Sequence, residues 1–301
     1  MKLNDYLLSR RTFVASLTAA MAALCWAPGR LQAANQALIR KTIPGTGEAL
    51  PVIGLGSSRT FDIGNDQAAL ASLVEVMQAF FANGGQLIDS SPMYGSAEQV
   101  IGKLLQHSGR QNKLFAATKV WTDGEQNGIR QMQDSLTKWG LDRFDLMQIH
   151  NLRDWQTTGM VRYIGITTSH GRYHEELETL LRNERFDFVQ LSYNIADRSV
   201  EQRLLPLAAE RGIAVLVNRP YQRGSLFGKV KGQALPEWSA EIDCASWGQF
   251  FLKFIVSHPA VTCAIPATTK VHHMQDNMAA GFGRLPDAAM RKRMIDFYAA
   301  L

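Results

Sequence analysis

The chain has 301 residues, more than a typical single domain but within reach of one α/β barrel of about 250 residues with a short appendage. Hydrophobic residues make up 46% and charged residues 20%, which excludes a disordered chain and supplies a sizeable core. The formal charge of +5 falls to +2 once residues 1–33 are set aside, because Lys2, Arg10, Arg11 and Arg30 against Asp5 give a local +3; no nucleic-acid partner is implied.

The N-terminus reads as a targeting segment. Ser9-Arg10-Arg11-Thr12-Phe13-Val14 precedes a run without charge from Thr12 to Gly29, followed by the small residues Ala33 and Ala34. A charged start, an apolar middle and a small-residue cleavage region describe a secretory signal. The paired arginines point to the bacterial twin-arginine (Tat) export machinery as a partner, with cleavage near Ala33 or Ala34. An amphipathic helix that happens to contain Arg-Arg is the alternative. Thr12, Ser16 and Thr18 interrupt the apolar run too often for a membrane span of about 20 residues. The expected division is a signal over 1–33 and a periplasmic protein, without a stable membrane span, over 34–301. Export of folded proteins by this route favours a tightly held cofactor. Cys25 lies in the signal; Cys244 and Cys263 either form a disulfide or stay as buried, unpaired thiols.

Next, Leu38 to Gly56 holds two β-like stretches around the turn Pro44-Gly45-Thr46-Gly47, a hairpin expected to close a barrel floor. From Val52 to Gly56 onward, strand and helix patterns alternate. A helix carries Leu70, Leu73, Val74, Met77, Phe80 and Phe81 at helical spacing. Apolar runs follow at Gln86–Asp89, Leu114–Val120, Asp145–Ile149, Tyr163–Thr167, Phe188–Leu191, Ile213–Val217 and Val261–Ile265. Eight strands alternating with helices predict a (β/α)8 TIM barrel. Four polar residues, Asp89, Tyr94, Lys119 and His150, each follow one of these runs, where a barrel gathers its reacting groups.

From about Arg40 to Ala280 the chain resembles the aldo-keto reductase family. The resemblance is carried by Pro51-Val52-Ile53-Gly54-Leu55-Gly56, Ile88-Asp89-Ser90-Ser91-Pro92-Met93-Tyr94-Gly95, Glu98 with Ile101-Gly102, Thr118-Lys119-Val120-Trp121, and Asp145 to His150. Downstream it continues in Tyr163-Ile164-Gly165-Ile166, Val189-Gln190-Leu191-Ser192-Tyr193-Asn194 and Ile265-Pro266 through Asn277. It implies hydride transfer between NADPH and a small-molecule carbonyl substrate, without metal. Hydride addition builds negative charge on the carbonyl oxygen, so a proton donor must lie within hydrogen-bond reach. Tyr94 is the implied donor, Lys119 eases release of its proton, Asp89 holds Lys119 charged, and His150 hydrogen-bonds the substrate oxygen.

The resemblance also implies a cofactor cradle. Thr167, Thr168 and Gln190 fall where the family binds the nicotinamide amide, the first two replacing the more common Ser and Asn. Arg219, followed by Pro220 and Tyr221, stands near the place of a ring-stacking tyrosine, where a guanidinium stacks on the nicotinamide or simply faces solvent. Thr268, Thr269 and Lys270 open a helix suited to phosphate, and Asn277 lies further along it. His273 replaces an arginine frequent at the 2′-phosphate, so NADPH is expected and NADH is not excluded.

No Gly-x-Gly-x-x-Gly follows the first strand, which removes a Rossmann reading. His170, His174, His272 and His273 lack a ligand arrangement for a metal. Trp121, Trp155, Trp238 and Trp247 either line an apolar substrate pocket or pack in core and loops. Only twelve residues, Asn151 to Arg162, join strands four and five, and the helix there is missing. Extended, they span roughly 40 Å, enough to return along a strand of about 20 Å but not to cover it. An exposed apolar strip and a homodimer through it are expected. A non-catalytic or truncated barrel, acting as a binding module or failing to fold fully, is the competing reading.

Overall fold

The computed structural model describes residues 36–108, 114–149, 161–169 and 173–301. Leu38–Leu301 forms one compact unit. The expected signal over 1–33 lies outside the described residues.

This unit begins with the predicted hairpin, β1 (Arg40–Thr42) and β2 (Ala49–Pro51), paired antiparallel with Arg40 opposite Pro51. Its turn carries Gly47 at φ +73°, where glycine avoids the clash that a Cβ would suffer. Then come β3 (Leu55–Gly56), α1 (Gln67–Ala82), β4 (Leu87–Asp89), α2 (Ala97–Ser108), β5 (Phe115–Val120), α3 (Glu125–Trp139) and β6 (Phe144–Ile149). The second half contains β7 (Val161–Thr167), α4 (His174–Asn183), β8 (Phe188–Ser192), α5 (Leu204–Glu210), β9 (Ala214–Asn218), α6 (Ser225–Lys229), α7 (Trp247–Val256), β10 (Val261–Ala264), α8 (Val271–Ala279) and α9 (Ala288–Ala300).

Strands β3 to β10 form a parallel sheet in sequence order. A parallel bridge between Ile53 and Ala264 joins its two edges, with Ala264 N donating to Val52 O at 2.9 Å and Gly54 N donating to Ala264 O at 2.9 Å. The eight-stranded barrel is therefore closed, as the alternation predicted.

Two apolar layers follow from the strand period of two. Inside, Leu87, Phe115, Ala117, Leu146, Tyr163, Phe188, Ala214, Leu216 and Cys263 form one cluster together with Ile43 and Leu50 of the hairpin. The hairpin thus plugs the floor. Outside, the strands pack on the helices, as where Trp139 of α3 meets Phe144 edge-on with ring centroids 5.4 Å apart. Asp66 starts α1 by accepting from Ala68 N and Ala69 N at 2.9 and 3.0 Å, the ordinary N-cap device.

The Asn151–Arg162 connection lies almost wholly outside the described residues, and so does its expected lack of a helix. The exposed apolar strip expected beside strands four and five is not found among the described residues. Phe144, Leu146, Met147, Ile149, Tyr163 and Ile166 are all buried. The reason is that Phe144, Met147 and Ile166 share the outer cluster with Met132 and Trp139 of α3 and Leu177 and Leu181 of α4, the helices flanking the short connection.

Cys244 and Cys263 are free and buried, not a disulfide. Burial pushes the Cys244 thiol up to about 11. Trp238 and Trp247 pack against Phe250 and Phe297, which gives them a packing role. Trp121 is exposed after β5, and Trp155 is outside the described residues. No described helix is long and apolar enough to cross a membrane.

Candidate active site

Two residues beyond each interior apolar position, the same inward alternation reaches the carboxyl ends of the strands. Leu87 leads to Asp89, Ala117 to Lys119, Leu146 to Gln148, Phe188 to Gln190 and Leu216 to Asn218. The interior therefore turns from apolar to polar at one mouth, where a barrel builds its site.

Asp89 is the hub. Its Oδ2 accepts from Lys119 Nζ at 2.6 Å, and its Oδ1 accepts from Gln148 Nε2 at 2.7 Å and Gln190 Nε2 at 2.9 Å. Lys119 Nζ also donates to Ser90 O at 2.8 Å. The Lys119 and Asp89 side chains are only 2% and 4% exposed. Desolvation works against the lysine charge, but Asp89, then Tyr94, outweigh it and raise the Lys119 pKa above its ordinary value. Lys119 is thus held as a buried ammonium.

The network runs on around the mouth. Gln190 Oε1 accepts from Thr167 Oγ1 at 3.1 Å and Asn218 Nδ2 at 3.3 Å. Asn218 Nδ2 also donates to Thr168 O at 2.9 Å, and its Oδ1 accepts from Ser192 Oγ at 2.7 Å. Fixing both amide ends of Gln190 this way sets its orientation.

Tyr94 stands on the short segment between β4 and α2, half-buried, with its ring centroid 5.4 Å from Lys119 Nζ. The segment is pinned from the loop after β3. Ser96 N and Ser96 Oγ both donate to Asp62 Oδ1 at 2.9 Å, and Gly64 N donates to Ser96 Oγ at 2.8 Å. Gly95 bridges the two at φ +58°, where a Cβ would stand 2.3 Å from Asp62 Oδ1.

Behind Lys119, buried Glu98 of α2 accepts from Thr118 Oγ1 at 2.7 Å, Ser135 Oγ at 2.9 Å and Trp139 Nε1 at 3.4 Å. One carboxylate so ties α2 to β5 and α3.

Of the residues picked from sequence, Asp89, Lys119, Thr167 and Gln190 join one hydrogen-bonded network, and Tyr94 lies against it. Thr168 contributes its carbonyl. Arg219 follows Asn218, partly exposed, with φ +49°. His150 lies outside the described residues. A second group gathers between β10 and α8: buried Thr268, whose Oγ1 accepts from Lys270 N at 3.1 Å, and the exposed Thr269, Lys270 and His273. Asn277 is buried, and its Oδ1 accepts from Tyr221 OH at 2.6 Å, linking this group to the loop after β9. The His272 and His273 rings lie 4.2 Å apart. His273 is shifted below the ordinary range by desolvation, then by His272 and Lys270.

The sequence reading missed Gln148, Ser192 and Asn218, although the same alternation marks them. It also assigned no role to Asp62 or Glu98. Gln148 Oε1 is buried with no hydrogen-bond partner. Among the described residues no group of three or more His, Cys, Asp or Glu could hold a metal ion.

Residues 52–293 match the sequence profile described as the aldo/keto reductase family. The methylglyoxal reductase YeaE of Escherichia coli (strain K12) is 28% identical over 248 residues, covering 77% of this chain and 85% of its own. The glyoxal reductase of Bacillus subtilis (strain 168) is 27% identical over 246 residues, covering 77% and 83%. An aldo/keto reductase of Klebsiella pneumoniae, solved in complex with NADP and acetate, shares the fold with a TM-score of 0.70 at 22% identity over 85% of this chain and 94% of that one. The profile match spans most of the chain, and the protein belongs to the aldo/keto reductase family of oxidoreductase enzymes.

Proposed function

We propose that this protein reduces a small aldehyde or ketone to an alcohol with NADPH, Tyr94 giving the proton. The observation that carries the reading is the buried Lys119–Asp89 ion pair lying against the Tyr94 ring. As the phenol releases its proton to the carbonyl oxygen, the Lys119 ammonium stabilises the charge left behind, a fixed counter-charge that needs no reorganisation. Asp89 keeps that ammonium charged and aimed, and Gln148 and Gln190 keep Asp89 in place. His150, which directly follows β6 in the chain, is assigned the hydrogen bond to the substrate oxygen.

The residues present suit the dinucleotide on chemical grounds. Thr167, Thr168 and Gln190 offer hydroxyl and amide groups beside the ion pair. Lys270 and His273, with Thr268 and Thr269, offer cations and hydroxyls where α8 begins, and Asn277 lies on the same helix. Arg219 is assigned to the mouth between the two sets. When bound, the reduced nicotinamide supplies the hydride.

The test is NADPH consumption by the purified protein with a panel of aldehydes and ketones, led by methylglyoxal and glyoxal, the carbonyls named for the two relatives; NADH is run alongside. Carbonyl-dependent consumption supports the reading. Tight NADPH binding without consumption of any carbonyl contradicts it.

We also propose that residues 1–33 direct export by the twin-arginine machinery, leaving the barrel from residue 34 in the periplasm. The support is the Arg10-Arg11 pair ahead of an uncharged run. Replacing both arginines by lysine retains the charge, so retention of the protein in the cytoplasm is expected from the double variant; unchanged export contradicts the proposal.

A further inference from the structure

Asn218 ends β9 two residues beyond the inward-facing Leu216, so the strand alternation brings it to the mouth on the same face. Its side chain joins three successive strands. Asn218 closes β9, its partners Gln190 and Ser192 belong to β8, and Thr168 follows β7. Gln190, Ser192, Thr167 and Thr168 are buried, whereas Asn218 is half-buried.

The hydrogen bonds of this group are fixed in sense. Thr168 O can only accept, so the end of Asn218 that faces it at 2.9 Å is Nδ2, and Oδ1 is left to accept from Ser192 Oγ at 2.7 Å. The Asp89 carboxylate likewise can only accept. Gln190 Nε2 therefore faces it at 2.9 Å, and Gln190 Oε1 turns the other way. There Oε1 receives Thr167 Oγ1 at 3.1 Å and Asn218 Nδ2 at 3.3 Å.

This arrangement decides what the pair can offer a ligand. Gln190 Oε1 has both lone pairs engaged, so Gln190 can give only the second hydrogen of Nε2. Thr167 Oγ1 has passed its hydrogen to Gln190 and can only accept. One donor beside one acceptor is the complement of a primary carboxamide.

We propose that Asn218 is a positioning residue for the cofactor: by holding Gln190 Oε1 and Thr168 O it fixes which hydrogens the site gives and takes, so that the nicotinamide carboxamide is recognised at both its C=O and its NH2. The inference rests on the reading of Thr167, Thr168 and Gln190 as the nicotinamide site. Without Asn218, Gln190 Oε1 keeps only Thr167 as a donor, and its amide is no longer held in one sense. The same Gln190 bonds Asp89, which holds Lys119, so carboxamide recognition and the charge beside Tyr94 share one side chain.

The experiment measures Kd by calorimetry for NADP and for its 3-acetylpyridine analogue, in which a methyl group replaces the amide NH2, in the wild type, Asn218→Leu and Ser192→Ala. The wild type prefers the carboxamide by about ten-fold, the worth of one hydrogen bond. Asn218→Leu brings that ratio toward one, as coupled groups require, and Ser192→Ala, which frees the Asn218 amide to turn, lowers it part of the way. A ratio unchanged in Asn218→Leu overturns the proposal even when both affinities fall, because an equal fall marks a residue that only shapes the strand end. A wild-type ratio of one overturns it as well. Should Asn218→Leu fail to fold, the ratio in Ser192→Ala decides on the same terms. Binding of NADP with no carbonyl reduced by NADPH contradicts the carbonyl reductase reading alone, and the ratio still decides the role of Asn218; binding of neither nucleotide overturns both.

Discussion

Asp89 and Lys119 are a buried ion pair whose members depend on each other. Asp89→Asn leaves the Lys119 ammonium buried without its counter-charge, and a loss of about 3–5 kcal/mol in unfolding free energy is expected by urea titration. A loss below about 1 kcal/mol would mean that Ser90 O and Tyr94 hold the ammonium adequately, in the range of one ordinary hydrogen bond. These two residues were legible in the sequence because a polar residue ending a buried apolar run can face only the mouth. Gln148, Ser192 and Asn218 carry the same alternation signal, but an amide or hydroxyl at a strand end names no chemistry by itself, and Thr167 and Gln190 stand out only through the family resemblance. Glu98 was not legible as a hub. Its three donors come from β5 and α3, and only the tertiary fold brings them to one carboxylate.

The contact between α2 and α3 is set by Gly102, where a Cβ would stand 1.9 Å from Lys138 O. Gly102→Ala must therefore push the helices apart, and a loss of about 1–3 kcal/mol is expected in the same titration. A neutral or stabilising result would contradict the close approach. A change in the Glu98 environment should accompany the loss, because α2 carries that carboxylate to its donors. At this scale the eight strands were readable, since parallel strands buried on both faces appear as continuous apolar runs. The hairpin was readable from its turn. The cover over β6 and β7 was not, because the apolar surface that shields them comes from the neighbouring helices α3 and α4, whose reach depends on packing rather than on chain order.

For the whole molecule, pH exposes which buried groups the fold must keep neutral or paired. Burial, then Arg291, lowers the His258 pKa from 6.5 to about 4. Its ring accepts from Ala260 N at 3.2 Å, as a neutral imidazole can. The unfolded chain takes up this proton first as pH falls, so the contribution is complete above pH 6.5, declines between 6.5 and about 4, and adds no slope below. Asp243 behaves as a depressed carboxylate: hydrogen bonding from Arg284 lowers it from 3.8 to about 2, and its contribution is present above 3.8 and lost toward about 2. Thermal midpoints across this range should fall in two stages. His258→Asn, which keeps an acceptor, should flatten the upper stage; an unaltered upper stage would contradict the assignment.

The central claim is a chemical one, that the phenol beside a buried ammonium protonates the carbonyl. It is tested most directly by NADPH consumption with an accepted aldehyde in Tyr94→Phe, with cofactor binding followed by fluorescence in the same sample. Loss of turnover with NADPH binding intact is the predicted result. Turnover equal to the wild type would contradict it.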